Sequence, residues 1–166
     1  MLPKTSAHMM LSFTSFATLL KLTGAPAASI LPAAAATALT DALIDLGHGG
    51  SGRSAATHSI ATAPAIALLA CIPAMGLACL AGPALKALGL DAALLGALTL
   101  WGCLYASLLH LMLDSLTWQG IHIPLIGWVN VMDLESLGAA ANLIPISISL
   151  ALILFFWMGG GAWIPT

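Results

Sequence analysis

His110 and Asp114 stand four residues apart in the run HLMLDSLTWQG, and Asp41 and Asp45 stand four apart in DALIDLGH. On a helix that spacing puts both members of a pair on one face, one turn apart. Imidazole nitrogens and carboxylate oxygens hold divalent cations such as zinc, manganese or iron, and residue type alone does not choose among these metals. His48 lies three residues beyond Asp45, His58 sits in the run THS at 57–59, and His8 lies near the start of the chain. His8, Asp45, His48, His58, His110 and Asp114 are therefore the candidate metal ligands. Asp41 is the candidate to orient a ligating imidazole or to act as general base. Arg53, on the glycine-rich stretch GHGGSGRSAAT at 47–57, is the candidate to steady an anionic group of a substrate.

Each of these residues also has an ordinary use. An aspartate near a helix end can reach water, a histidine at an interface can be solvated, and Thr57 can cap a helix that starts beside His58. His110 resists that treatment because it falls deep in an apolar run, where polar groups are costly. His122 shares no spacing with the pairs and is left outside the ligand set.

The elements that must position these groups are apolar. The chain has 166 residues, 60% hydrophobic and 6% charged, with a mean hydropathy of +1.05; soluble domains carry roughly 25% charged residues. An all-α integral membrane bundle is expected, as a single transmembrane domain over 1–166 in the cell (plasma or inner) membrane. Each crossing takes about 20 apolar residues, which allows about five spans and no separate soluble domain. They are placed at 6–22, 27–46, 58–80, 92–116 and 142–158, and the first is read as a span rather than a cleaved signal. A net charge of −2 supplies no basic patch, so nucleic acid is excluded as a partner. Cys71, Cys79 and Cys103 form no close pair and are read as small core residues. The segment 118–141, rich in aromatic and acidic residues, is expected as an interfacial short helix or re-entrant loop, with Trp118 and Trp128 at headgroup level.

An up-and-down path through five spans brings His8, the Asp41–Asp45–His48 end of span two, His58, the His110–Asp114 end of span four and Asn142 to one end of the bundle. The other end receives only Lys21, Lys86 and Asp91 among the charges. Lysine and arginine divide evenly between the two ends, so the positive-inside rule gives no firm orientation.

At these residues the chain resembles the YdjM-type membrane-bound metal-dependent hydrolases, in particular their archaeal multi-span relatives of unknown function. The resemblance is carried by His8, DALIDLGH at 41–48, THSI at 57–60 and HLMLDSLTWQGIHIP at 110–124, about a quarter of the chain. Bacterial members have Leu-Pro-Asp-x-Asp-His before the loop and His-Arg-Gly before Thr-His-Ser. Here LPAAAA stands apart from Asp45, and Arg53 has no histidine before it. The resemblance implies a multi-span α-helical protein with a divalent-metal site at one membrane face and hydrolytic activity. Zinc is the first choice among metals, and the place of the site near the interface, with no separate soluble domain, points to a lipid or other amphiphilic ester or phosphoester as substrate. Two other classes stay open: a non-enzymatic membrane subunit or scaffold, in a homo-oligomer or a larger complex, with a structural polar or metal cluster, and, less favoured, an ion carrier.

Overall fold

The computed structural model describes residues 5–46, 53–87, 89–117, 119–133 and 140–154. The chain is mostly helical, with α1 (Thr5–Leu22), α2 (Ala27–Asp45), α3 (Ala63–Leu80), α4 (Gly82–Ala87), α5 (Ala92–Ser115) and α6 (Ala140–Leu152), and a two-stranded hairpin, β1 (Ile121–Ile123) and β2 (Gly127–Val129). α2 lies against α1, α3 and α5, α5 packs on α3, and α6 packs on α1.

Local chemistry sets the boundaries. α1 ends where Gly24 takes φ 75°, and the Ala25 N–H returns to the Leu20 carbonyl at 2.9 Å, a glycine-dependent helix stop. Gly89 closes α4 the same way, with Leu90 N–H to Leu85 O at 2.8 Å. Two residues later the Asp91 carboxylate caps α5 by accepting from Leu94 N–H at 2.8 Å. α3 begins at Ala63 rather than at His58. Pro64 tolerates the first turn of a helix, but a helix continued back past Ile60 would drive its ring into that carbonyl. Residues 54–63 instead form turns, with the Ser54 carbonyl accepting from Thr57 and His58, and the Ser59 carbonyl from Thr62 and Ala63.

The segment after α5 also departs from the expected helix or re-entrant loop. Ile121 and Ile123 alternate with His122, a strand pattern, and they pair antiparallel with Val129, Gly127 and Trp128. Pro124 at the second turn position and Leu125 at the third, with φ 71°, fit a type II turn closed by Ile126 N–H to Ile123 O at 3.1 Å.

α5 approaches α1 and α2 closely at Gly102. A Cβ there would lie 2.9 Å from Phe16 Cε1 and 3.0 Å from the Ala33 carbonyl. Ala33, Ala34, Ala36 and Thr37 on the facing side of α2 are buried, so small residues on both helices set the separation. The outer surface is apolar: Leu31, Leu69, Ile72, Trp101, Leu108, Met112 and Ile148 are exposed. The interior holds Ser12, Thr37, Thr40, Asp41, His58, Ser107, His110 and Asp114.

Two described helices, α2 and α5, are long and apolar enough to cross a membrane, and the apolar runs Ala63–Gly76 and Leu143–Leu152 are shorter. The expected count of five is not reached on that measure. α1 falls outside it because His8 and Lys21, together with six serine and threonine hydroxyls, dilute its apolar character.

Candidate metal centre

The C-terminal turn of α5 presents His110 and Asp114 toward the C-terminal turn of α2, which presents Asp41 and Asp45. The turn before α3 adds His58. His58, His110, Asp41 and Asp114 are all buried, and the Asp45 side chain is 7% exposed. His110 Nε2 lies 3.3 Å from Asp114 Oδ2 and 3.4 Å from Asp45 Oδ1. His58 Nε2 lies 3.5 Å from Asp114 Oδ2 and 3.7 Å from Asp45 Oδ1. Two nitrogens and two oxygens thus alternate around one small ring.

The four contacts are within ion-pair distance and can be compared with the lengths of direct hydrogen bonds and of metal-site edges. A direct N–H···O hydrogen bond spans about 2.7–3.2 Å, and all four edges are longer. Zinc bonds to imidazole and carboxylate are about 2.0–2.2 Å, which makes the edge of a regular tetrahedron of ligands about 3.3–3.6 Å. Three of the four edges fall in that interval and the fourth just outside it. His110 Nε2 and Asp114 Oδ2 are buried without a hydrogen-bond partner, although buried polar atoms are ordinarily satisfied.

A second layer fixes the donors. His110 Nδ1 lies 3.1 Å from Asp41 Oδ1, an arrangement that keeps the proton on Nδ1 and leaves the Nε2 lone pair for a metal. Thr57 Oγ1 lies 2.7 Å from His58 Nδ1 and 3.4 Å from the Ser54 carbonyl, which orients the second imidazole in the same sense. His58 is also held through its backbone, since its carbonyl accepts from His122 N–H of β1 at 2.9 Å. His8 comes from α1, buried, with its Nδ1 3.3 Å from His110 Nδ1 and its ring edge-on to that imidazole at 4.5 Å. Ligand atoms of His8, Asp45 and His110 lie within 4.8 Å of one another, as do those of His58, His110 and Asp114. The buried His/Asp groups can therefore hold a metal ion.

The Arg53 side chain is 2% exposed, and Nη2 donates to Asp114 Oδ1 at 2.5 Å. Nη1 donates to the Thr117 hydroxyl, the Gly120 carbonyl at 3.2 Å and the Asp114 carbonyl at 3.4 Å. Both Nη groups are engaged by protein acceptors, and the Nη2 contact ties Arg53 to Asp114. His48 lies outside the described residues, as does Trp118, and the Asn142 side chain is likewise outside the description. Sequence reasoning missed Thr57 as an orienting group and Thr117 as an arginine acceptor; for Thr57 the adjacent THS motif was the available signal.

No family model, curated protein or solved structure matches the chain.

Proposed function

We propose that this chain is a membrane-embedded, metal-dependent hydrolase, a bundle of about five spans related to the YdjM-type proteins it resembles. One divalent cation, zinc by preference, would be held by His58, His110, Asp45 and Asp114. The observation that carries this reading is the closed ring of four donor atoms with N···O edges of 3.3 to 3.7 Å, two of them buried without other partners. The apolar outside and polar inside, with two helices of crossing length, support placement in a bilayer.

A divalent cation in such a site supplies Lewis acidity, polarising an ester or phosphoester and making water a better nucleophile at neutral pH. The protein's part is positional. Asp41 holds His110 in the metal-binding tautomer, Thr57 does so for His58, and Arg53 keeps Asp114 Oδ1 occupied so that Oδ2 faces the ring. His8, a buried imidazole against His110, is placed to hold or move a proton beside the site. Asp45 is the donor most open to solvent, and it marks the side on which water and substrate enter. An amphiphile is the natural substrate class, because the site ends two apolar helices.

One observation favours a second reading. Four protein donors can close a zinc site, and closed four-ligand sites are structural, whereas catalytic ones keep a position open. A scaffold subunit stabilised by a structural metal would carry the same ring. Purified protein separates the readings. Metal content is measured in the parent and in the double variant His110→Ala, Asp114→Ala, with hydrolysis of bis(p-nitrophenyl) phosphate and a p-nitrophenyl acyl ester. Near-stoichiometric metal that the double variant loses, with metal-dependent hydrolysis of either probe, supports the hydrolase. Metal without hydrolysis supports the scaffold, and near-zero metal in both proteins overturns the metal site itself.

A further inference from the structure

The hairpin 121–129 differs from the polar cluster it adjoins. From Gln119 to Met132 the chain carries no Asp, Glu, Lys or Arg, and Leu125, Ile126, Trp128, Val131 and Met132 are all exposed. Leu125 is fully exposed at the tip with φ 71°. A water-facing type II turn is served by glycine or asparagine at that position. Here a leucine accepts an unfavourable backbone conformation and buries nothing against the protein, a combination that points to an apolar surface outside the chain.

The tip is not free to fold back. Val131 N–H donates to the Ser115 carbonyl at 2.7 Å, His122 N–H to the His58 carbonyl at 2.9 Å, and Ile60 N–H to the His122 carbonyl at 3.2 Å. Gly120, at φ 66°, lies so near β2 that a Cβ would collide with the Val129 carbonyl. The hairpin is therefore fastened to the end of α5 and to the backbone of His58 itself.

The neighbouring surface identifies the occupant. Trp101, Leu108 and Met112 are exposed on α5, and their spacing of seven and four residues places them on one helical face. That stripe ends one turn before Ser115, whose carbonyl receives Val131, so the exposed apolar hairpin is fastened at the same end of α5 as the stripe. We propose that the Leu125–Ile126 tip is inserted in the headgroup–acyl boundary of the phospholipid leaflet at the metal end of the bundle, with Trp128 at headgroup level. The strand that holds His58 is then anchored in lipid, and an amphiphile in that leaflet reaches the cluster without crossing bulk water. This rests on the reading that α5 crosses the membrane.

The test uses full-length chain in phospholipid nanodiscs, with Cys71, Cys79 and Cys103 replaced by alanine and a bimane label introduced through Ile126→Cys. A companion protein carries the label through Met112→Cys. Lipids bearing a nitroxide near the headgroup are expected to lower the emission at both positions by about twofold, with a nitroxide at the acyl terminus less effective at 126. Quenching at 112 with none at 126 overturns the hairpin proposal alone. If the label at 126 is also shielded from iodide, a protein partner covers the tip, which overturns it equally. No quenching at either position overturns the membrane reading of α5 and this proposal with it. Should the cysteine-free chain not fold, brominated lipid with the native chain and its Trp128→Phe variant asks the same question. A smaller lipid-quenchable fraction of tryptophan emission in the variant is expected, and an unchanged fraction overturns the proposal.

Discussion

The Nδ1 atom of His110 lies 3.1 Å from Asp41 Oδ1, so one turn of α2 fixes the tautomer of a donor on α5. A carboxylate on the far nitrogen raises the basicity of a ligating imidazole and holds its plane. Asp41→Asn keeps the shape but weakens the acceptor, and is expected to lower metal affinity by about tenfold while leaving the stoichiometry unchanged. Competition against a colorimetric chelator measures this directly. An unchanged affinity would show that His110 is oriented by something else.

Thr57 plays the corresponding part for His58, with its Oγ1 2.7 Å from His58 Nδ1. Thr57→Val preserves the β-branched shape and removes the hydroxyl. Metal affinity is expected to fall by about tenfold, and Thr57→Ser to restore most of it. If valine and serine bind metal alike, the hydroxyl has no orienting role.

The residues that meet at the cluster were partly legible in the sequence. Pairs four apart on a helix share a face whatever surrounds them, and an up-and-down path forces the ends of consecutive helices together. That reasoning needed only helix periodicity and apolar length, and it grouped His110 and Asp114 with Asp45 and His58. The contacts of Arg53 were not legible because its partners lie 61 to 67 residues away, which no local spacing encodes. The hairpin was misjudged because its residues are as apolar as a helix; only the alternation around His122 and the bar imposed by Pro124 mark it as strand and turn. The first helix looked like a span by position, yet part of its hydroxyl set turns inward, with Thr14 and Thr18 buried. Hydroxyls that bond back to the preceding turn satisfy themselves locally, as Thr18 does to the Thr14 carbonyl at 2.7 Å. Hydropathy alone therefore understates how readily such a helix packs within apolar surroundings.

Arg53 and Asp114 form a buried ion pair, with side chains 2% and 1% exposed. Removing one partner of such a pair leaves an uncompensated charge, at a cost of about 3 kcal/mol or more. Arg53→Met is expected to lower the thermal midpoint of the metal-free protein as well as the metal-loaded one, followed by fluorescence in detergent. Were Arg53 only a substrate contact, neither midpoint would move, and only the turnover of an anionic substrate would suffer.

Gly102 sets how closely α5 approaches its neighbours, and so the span across which His110 and Asp114 face Asp45. A methyl group there meets Phe16 Cε1 at 2.9 Å, the Ala33 carbonyl at 3.0 Å and Thr37 Cγ2 at 3.3 Å. The phenyl ring can yield, but the carbonyl belongs to the α2 backbone and yields only if the helix moves. Gly102→Ala is therefore expected to destabilise the protein by about 1–3 kcal/mol, despite the better helix propensity of alanine. Gly76→Ala on α3 is the control, since a Cβ there meets nothing within 4 Å, and it should be neutral or slightly stabilising. Metal affinity of Gly102→Ala reports on the second consequence. If α5 is displaced, the His110 and Asp114 edges to Asp45 and His58 lengthen beyond about 3.6 Å, and binding weakens even where the fold survives. Equal stability of the two alanine variants would show that the contact at Gly102 is not what holds the helices in register.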